Sequence, residues 1–86
     1  MRRRYEVVVS LRSGLLDPQG KAVEESLPTM GFAGVEDVRV GKHIELTIEA
    51  DDEAAALDSV RRIAEQVLSN PVIEEYRILE SEATGR

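Results

Sequence analysis

Residues 4–20, Arg4-Tyr5-Glu6-Val7-Val8-Val9-Ser10-Leu11-Arg12-Ser13-Gly14-Leu15-Leu16-Asp17-Pro18-Gln19-Gly20, change periodicity within one short stretch, and that change decides the fold. Tyr5, Val7, Val9 and Leu11 recur at every second position with Glu6 and Ser10 between them, the pattern of a strand with one face in a core. Val8 makes the second face partly apolar. Beyond Arg12-Ser13-Gly14, Asp17 is a good N-cap and Pro18 suits the first helical position, where a missing N–H costs nothing. The spacing therefore predicts a strand over 4–11 and a helix that begins at Asp17-Pro18. Val23, Leu27 and Met30 give that helix an apolar stripe at i, i+4 and i+7, and Gly31 ends it in a left-handed conformation. Pro28 conflicts with the pattern, because it removes an intrahelical bond and crowds the carbonyl of Glu24. A kink or altered last turn is expected near Leu27.

Downstream, Val38 and Val40 alternate with Asp37 and Arg39, Gly41-Lys42 interrupts, and Ile44, Leu46 and Ile48 alternate with Glu45, Thr47 and Glu49. This predicts a hairpin. Asp51-Asp52-Glu53 puts three acids where a helix starts, and Leu57, Val60, Ala64, Val67 and Leu68 repeat at helical spacing down to Asn70-Pro71. Val72-Ile73, Tyr76 and Ile78 form a last strand. The class is α+β in the order β-α-β-β-α-β, which commonly gives a ferredoxin-like, four-stranded antiparallel sheet with both helices on one face. Val8, Val35 and Leu79 are expected on the other face, where a second subunit would cover them. The whole of 1–86 reads as one domain, with Met1-Arg2-Arg3 and Ser81–Arg86 as loose termini.

Composition narrows the function. The 86 residues carry 11 Lys+Arg against 17 Asp+Glu, a net charge of −6, with no Cys and one His. So short a chain has little room for a deep pocket of its own. It has no thiol nucleophile and no Cys/His zinc cluster. Its longest apolar runs are four residues, far short of the roughly 20 needed to span a membrane, so a cytoplasmic protein is expected. Nucleic-acid binding is disfavoured by the charge and by 3% aromatics, which leaves Arg2, Arg3 and Arg4 as a solvated basic run.

Candidate chemistry is sparse. Gly14 to Lys21 lies between strand and helix and ends in Gly-Lys, yet five residues separate Gly14 from Gly20 where a P-loop has four, and Ala22 replaces its Ser or Thr. The stretch reads as a capped helix start in which Gly20, costly in a first turn, marks close approach of another backbone or a partner. Asp17, Pro18, Gln19 and Gly20 thus form a contact corner. His43, alone at the head of a strand beside Lys42, has no identifiable orienting group and reads as a half-exposed sheet residue. Asp51, Asp52 and Glu53 resemble magnesium ligands, but complementarity to the helix start explains them without a metal. Arg39, Gly41 and Lys42 make a cationic hairpin tip in which Gly41 serves a positive φ. In the 70–76 corner Asn70 caps the second helix, Pro71 stops it, and Glu74 and Tyr76 lie at an edge.

Read in order, Val9-Ser10-Leu11, Leu16-Asp17-Pro18-Gln19-Gly20, Val38-Arg39-Val40-Gly41-Lys42 with Glu45-Leu46, and Asn70-Pro71-Val72-Ile73-Glu74-Glu75-Tyr76 closely resemble the PurS family. These are the small subunits of bacterial and archaeal phosphoribosylformylglycinamidine (FGAM) synthase. Pro28 and both termini depart from the family pattern. The resemblance implies purine biosynthesis, in which ATP, glutamine, water and formylglycinamide ribonucleotide become formylglycinamidine ribonucleotide, ADP, phosphate and glutamate. It further implies a glutaminase subunit and a large synthetase subunit as partners, with ATP and magnesium held by the synthetase. This chain would then carry no catalytic, cofactor or metal site, and copies of it would associate through their sheets as dimers or tetramers. Partner contacts are expected at Asp17, Gln19, Arg39, Lys42, Glu74 and Tyr76.

Three rivals belong to other classes. A ligand-binding regulatory dimer of the ACT type shares the strand order. An acylphosphatase-like enzyme needs a Gly-rich phosphate loop after the first strand, which Leu15-Leu16-Asp17 does not supply. An RNA-binding module conflicts with the charge.

Overall fold

A computed structural model describes residues 1–80. Strand β1 (Arg2–Leu11) is the centre of a three-stranded antiparallel sheet, flanked by β2 (Lys42–Glu49) and β3 (Glu74–Glu80). Helix α1 (Pro18–Ser26) follows β1, and α2 (Glu53–Ile63) joins β2 to β3. The register sets Val7 opposite both Ile44 and Ile78, so the alternation of all three strands points one apolar face the same way. Against that face lies α2. Tyr5, Val7 and Val9 pack with Ala56, Val60 and Ala64, ringed by Ile44, Leu46, Ile48, Tyr76 and Ile78. Alanine at two of the three helix positions lets the helix axis come close to the strands.

The α+β class, the antiparallel sheet and the helix beginning at Asp17-Pro18 agree with the sequence reading. Pro28 acts as expected. Helix α1 stops at Ser26, and a 3₁₀ turn over Pro28–Met30 carries the chain to Gly31 at φ 93°. There the Phe32 and Gly31 amides donate to the Leu27 and Pro28 carbonyls, closing a Schellman-type end.

Several local expectations differ. The start of the chain is not loose: Arg2 and Arg3 pair with Glu49 and Ile48, and the terminal ammonium donates to the Ala50 carbonyl at 2.6 Å. Ion pairs of Arg3 with Glu80 and Glu53, and of Arg4 with Glu45, neutralise the basic run that had read as solvated. Ser81–Arg86 lie outside the described residues. The hairpin is absent, since Val38–Val40 form no strand. Two of that segment's amides bond side chains instead, Val38 N–H to Glu24 and Val40 N–H to Asp17, so its ladder bonds are replaced by contacts to the α1 corner. Among the described residues the sheet therefore has three strands, not four. Val72 and Ile73 precede β3 in a turn.

Val67, expected in the core, is 73% exposed. It sits in a π turn over Ala64–Leu68, and the wider turn brings Leu68, rather than Val67, back beneath Ala64. Of α1 only Gly20 is buried, while Val23, Leu16, Met30, Phe32 and Val35 are all exposed. Helix α1 is tied down at its start, where Gly20 lies against Val38 and Asp17 accepts from the Val40 amide, and the segment from Leu15 to Val35 forms an arm without a core of its own. The radius of gyration, 16.6 Å, exceeds the about 12 Å of a compact chain of this length, and the arm accounts for the difference.

Candidate functional site

Asp17 organises the region where the predicted contact residues meet. It is 5% exposed and makes hydrogen bonds through both carboxylate oxygens. Oδ1 accepts from the Gly20 amide at 2.8 Å, capping α1, and Oδ2 accepts from the Val40 amide at 2.7 Å. One side chain thus ties the helix start to the segment entering β2. The Gly20 and Val40 hydrogen bonds hold its carboxyl below the ordinary carboxylate range, with help from the Arg39 charge and against the effect of burial.

Gly20 answers the question its position raised. A Cβ there would lie 2.1 Å from the Val38 carbonyl oxygen, so glycine is required by a close backbone approach within this chain. Gly41 has the same kind of reason, not the expected positive φ: a Cβ there would stand 2.6 Å from the Val9 carbonyl oxygen. The two glycines let the 38–41 segment lie against α1 on one side and the end of β1 on the other.

Two clefts flank Asp17. The smaller, about 310 Å³, is lined by Asp17, Pro18, Gln19, Gly41, Lys42 and Glu74 over a floor of Val9 and Leu11. It brings together residues from all four of the blocks quoted from the sequence. The larger, about 460 Å³, opens on the other side between Leu15, Leu16, Lys21, Glu24, Asp37 and Arg39. Both are open surface grooves with acidic and basic groups intermixed.

The two cations of the predicted tip do not form one charged point. The Arg39 guanidinium donates to the Leu15 carbonyl at 2.9 Å and to that of Arg12 at 3.4 Å, clamping the loop before α1. The Lys42 ammonium donates to the Leu68 carbonyl at 3.0 Å, satisfying the end of the π turn. Asn70 does not cap α2. Its side chain accepts from the Val72 amide, its own amide donates to Glu74, and the Pro71 carbonyl accepts twice from the Arg12 guanidinium. Arg12 therefore joins the 70–74 turn to the end of β1, a role the sequence did not signal. Tyr76 is half-buried on the core face opposite Val9. His43 does have an orienting group: its Nε2 lies 2.8 Å from Glu6 Oε1, brought there by strand register and invisible along the chain.

Comparison with known proteins was made against this geometry. The PurS family model, described as phosphoribosylformylglycinamidine (FGAM) synthase, matches residues 4–82. The PurS subunit of that synthase from Synechocystis sp. is 49% identical over 70 residues, covering 81% of this chain and 70% of that protein. The Bacillus subtilis subunit is 46% identical over 74 residues, covering 86% and 87%. The crystal structure of the PurS subunit from Thermotoga maritima superposes with a TM-score of 0.84 at 34% identity, over 94% of this chain and 93% of that one. A chain in the structure of PurLQS from the same organism gives 0.86 at 33% identity, over 94% and 99%. None of these relatives favours the regulatory-dimer alternative. The blocks read from the sequence, the architecture and these matches converge, and the chain belongs to the PurS family, the small subunits of phosphoribosylformylglycinamidine synthase.

Proposed function

We propose that this chain is a bridge within an FGAM synthase complex, holding a glutaminase subunit against a large synthetase subunit so that ammonia passes between them without escaping as ammonium. The observation that carries this reading is the arm: Leu16, Met30 and Phe32 are 76%, 66% and 57% exposed, while among the described residues the buried core comprises only six. Apolar side chains presented in that way on a small chain fit protein–protein contact. The likeness to a chain of PurLQS supports the same reading.

The corner around Asp17 supplies shape more than chemistry. Asp17, Arg39 and Lys42 are spent on backbone groups of their own chain, which holds two clefts open for a partner segment without placing a reacting group in them. ATP and magnesium are then held by the synthetase subunit, and no step of bond making falls to this chain. Copies of it associate as a dimer or tetramer that covers the arm, and the complex works in the cytoplasm. Among the described residues no helix is long and apolar enough to cross a membrane.

The test is reconstitution with the two partner subunits. Omitting this chain is expected to depress glutamine-driven turnover while sparing ammonia-driven turnover. Equal loss of both would remove the basis for the bridging role.

A further inference from the structure

On the sheet face opposite α2, away from the Asp17 corner, three potential metal ligands converge. Glu6 of β1 stands directly across from Glu45 of β2, and His43, two residues before Glu45, shares the same face. One ligand atom from each of Glu6, His43 and Glu45 lies within 4.8 Å of the other two. We propose that these side chains form a binding site for a divalent transition-metal cation, for which Zn²⁺ is the probe.

The geometry is close to that of a formed site. Ligand atoms about 2.0–2.2 Å from a common ion, at angles between octahedral and tetrahedral, lie about 2.8–3.6 Å apart. His43 Nε2 and Glu6 Oε1 are 2.8 Å apart, so an ion enters between them with small side-chain adjustments. All three residues stand on paired strands, which fixes their Cα positions more firmly than a loop does.

The electrostatics agree. Two glutamates directly opposed in neighbouring strands repel each other. Among the described residues Arg4 stands 2.5 Å from Glu45, and His43 pairs with Glu6 at 2.8 Å. A divalent ion supplies the positive charge to both carboxylates at once. It releases Arg4 from Glu45 and takes the Nε2 lone pair of His43, the proton that Nε2 donates to Glu6 passing to solvent and Nδ1 carrying the ring N–H of the bound form. One imidazole nitrogen with two carboxylate oxygens suits zinc and its neighbours in the first transition row. Calcium takes six to eight oxygens, and magnesium keeps several of its waters, so neither makes use of the imidazole. The three side chains are 50%, 31% and 47% exposed for His43, Glu6 and Glu45, so water can complete the coordination sphere.

The experiment is a Zn²⁺ titration of the full, tag-free chain, followed by calorimetry and by the imidazole NMR signals of its single histidine. Saturable binding of one ion per chain is expected, with those signals shifting in step. H43A, E6Q and E45Q should each weaken affinity by at least about tenfold, the scale on which even supporting groups around a metal act. These are surface substitutions, and unchanged circular dichroism confirms that each variant is folded. R4Q should tighten binding, because it frees Glu45. Binding that is unsaturable, that leaves the histidine signals in place, that persists in H43A, E6Q and E45Q, or that weakens in R4Q would overturn the assignment.

Discussion

Replacing Gly20 by alanine sets two magnitudes of opposite sign against each other. Position 20 is in the first turns of α1, where helix propensity alone favours alanine by about 0.8–1.0 kcal/mol. The added Cβ, however, would meet the Val38 carbonyl oxygen at 2.1 Å, where ordinary contact begins at 3.4 Å, so the two must separate by about 1.3 Å (3.4 − 2.1). The obstacle is backbone and cannot rotate away. Moving Val38 also pulls on the Val40 amide, which is anchored 2.7 Å from Asp17. Forced expansion of a packed site costs about 1–3 kcal/mol, occasionally more, and we expect this term to exceed the propensity gain. G20A should therefore lower stability by up to about 2 kcal/mol, a fall in Tm of up to roughly 15 °C for a domain of this size. Thermal and urea unfolding at one fixed protein concentration measure it, since self-association makes Tm concentration-dependent. Amide exchange at Val38 and Val40 should accelerate, and A22G, at an exposed position two residues further along α1, sets the local propensity scale. If G20A instead stabilised the chain by about 1 kcal/mol, the close approach would carry no energetic weight and the reasoning would fail.

Asp17 should mark the acid limb of stability. Its folded carboxyl titrates below its unfolded value of 3.8, so the stability it contributes is present in full above that value and is lost as pH falls through the folded one. D17N still caps α1 but turns an amide NH₂ toward the Val40 N–H, so the gap between native and D17N stability should be widest near neutrality and close on acidification; a gap independent of pH would contradict the assignment. At the arm, M30D and F32D should shift native mass spectra toward smaller assemblies and lower glutamine-driven turnover in the reconstituted complex, while leaving the circular dichroism of the sheet unchanged, because both side chains lie outside the core. Retention of the native assembly by both variants would place the subunit contacts elsewhere.

The alternation of Tyr5, Val7 and Val9, the Asp17-Pro18 helix start, the stop at Pro28-Gly31 and the stripe of α2 were all legible in the sequence, because each depends on the periodicity of a single segment or on local backbone chemistry. The four ordered blocks were legible too, and they led to the family. What depends on distant partners was not. Val38–Val40 has the alternation of a strand, yet Asp17 and Glu24 capture its amides from another element, and no local pattern reports that competition. Gly20 announced a close approach but not its counterpart, Val38. Gly41 looked like a turn glycine and proves to be one that makes room for the Val9 carbonyl.

The sequence by itself thus determined the core strand β1, the start of α1 and the course of α2, and to which family the chain belongs. Only the tertiary structure decided which charges are already spent and which side chains are left uncovered. Arg39 and Lys42 read as a free cationic tip until the fold brought them to the Leu15 and Leu68 carbonyls. Val23 and Met30 read as part of an apolar stripe on α1 until the single α2-covered face proved too small to include them. Glu6, 37 residues from His43, joined it and Glu45 in one cluster only through strand register. The physical reason is common to all three: periodicity and caps are properties of neighbours along the chain, whereas pairing, coverage and convergence are properties of neighbours in space.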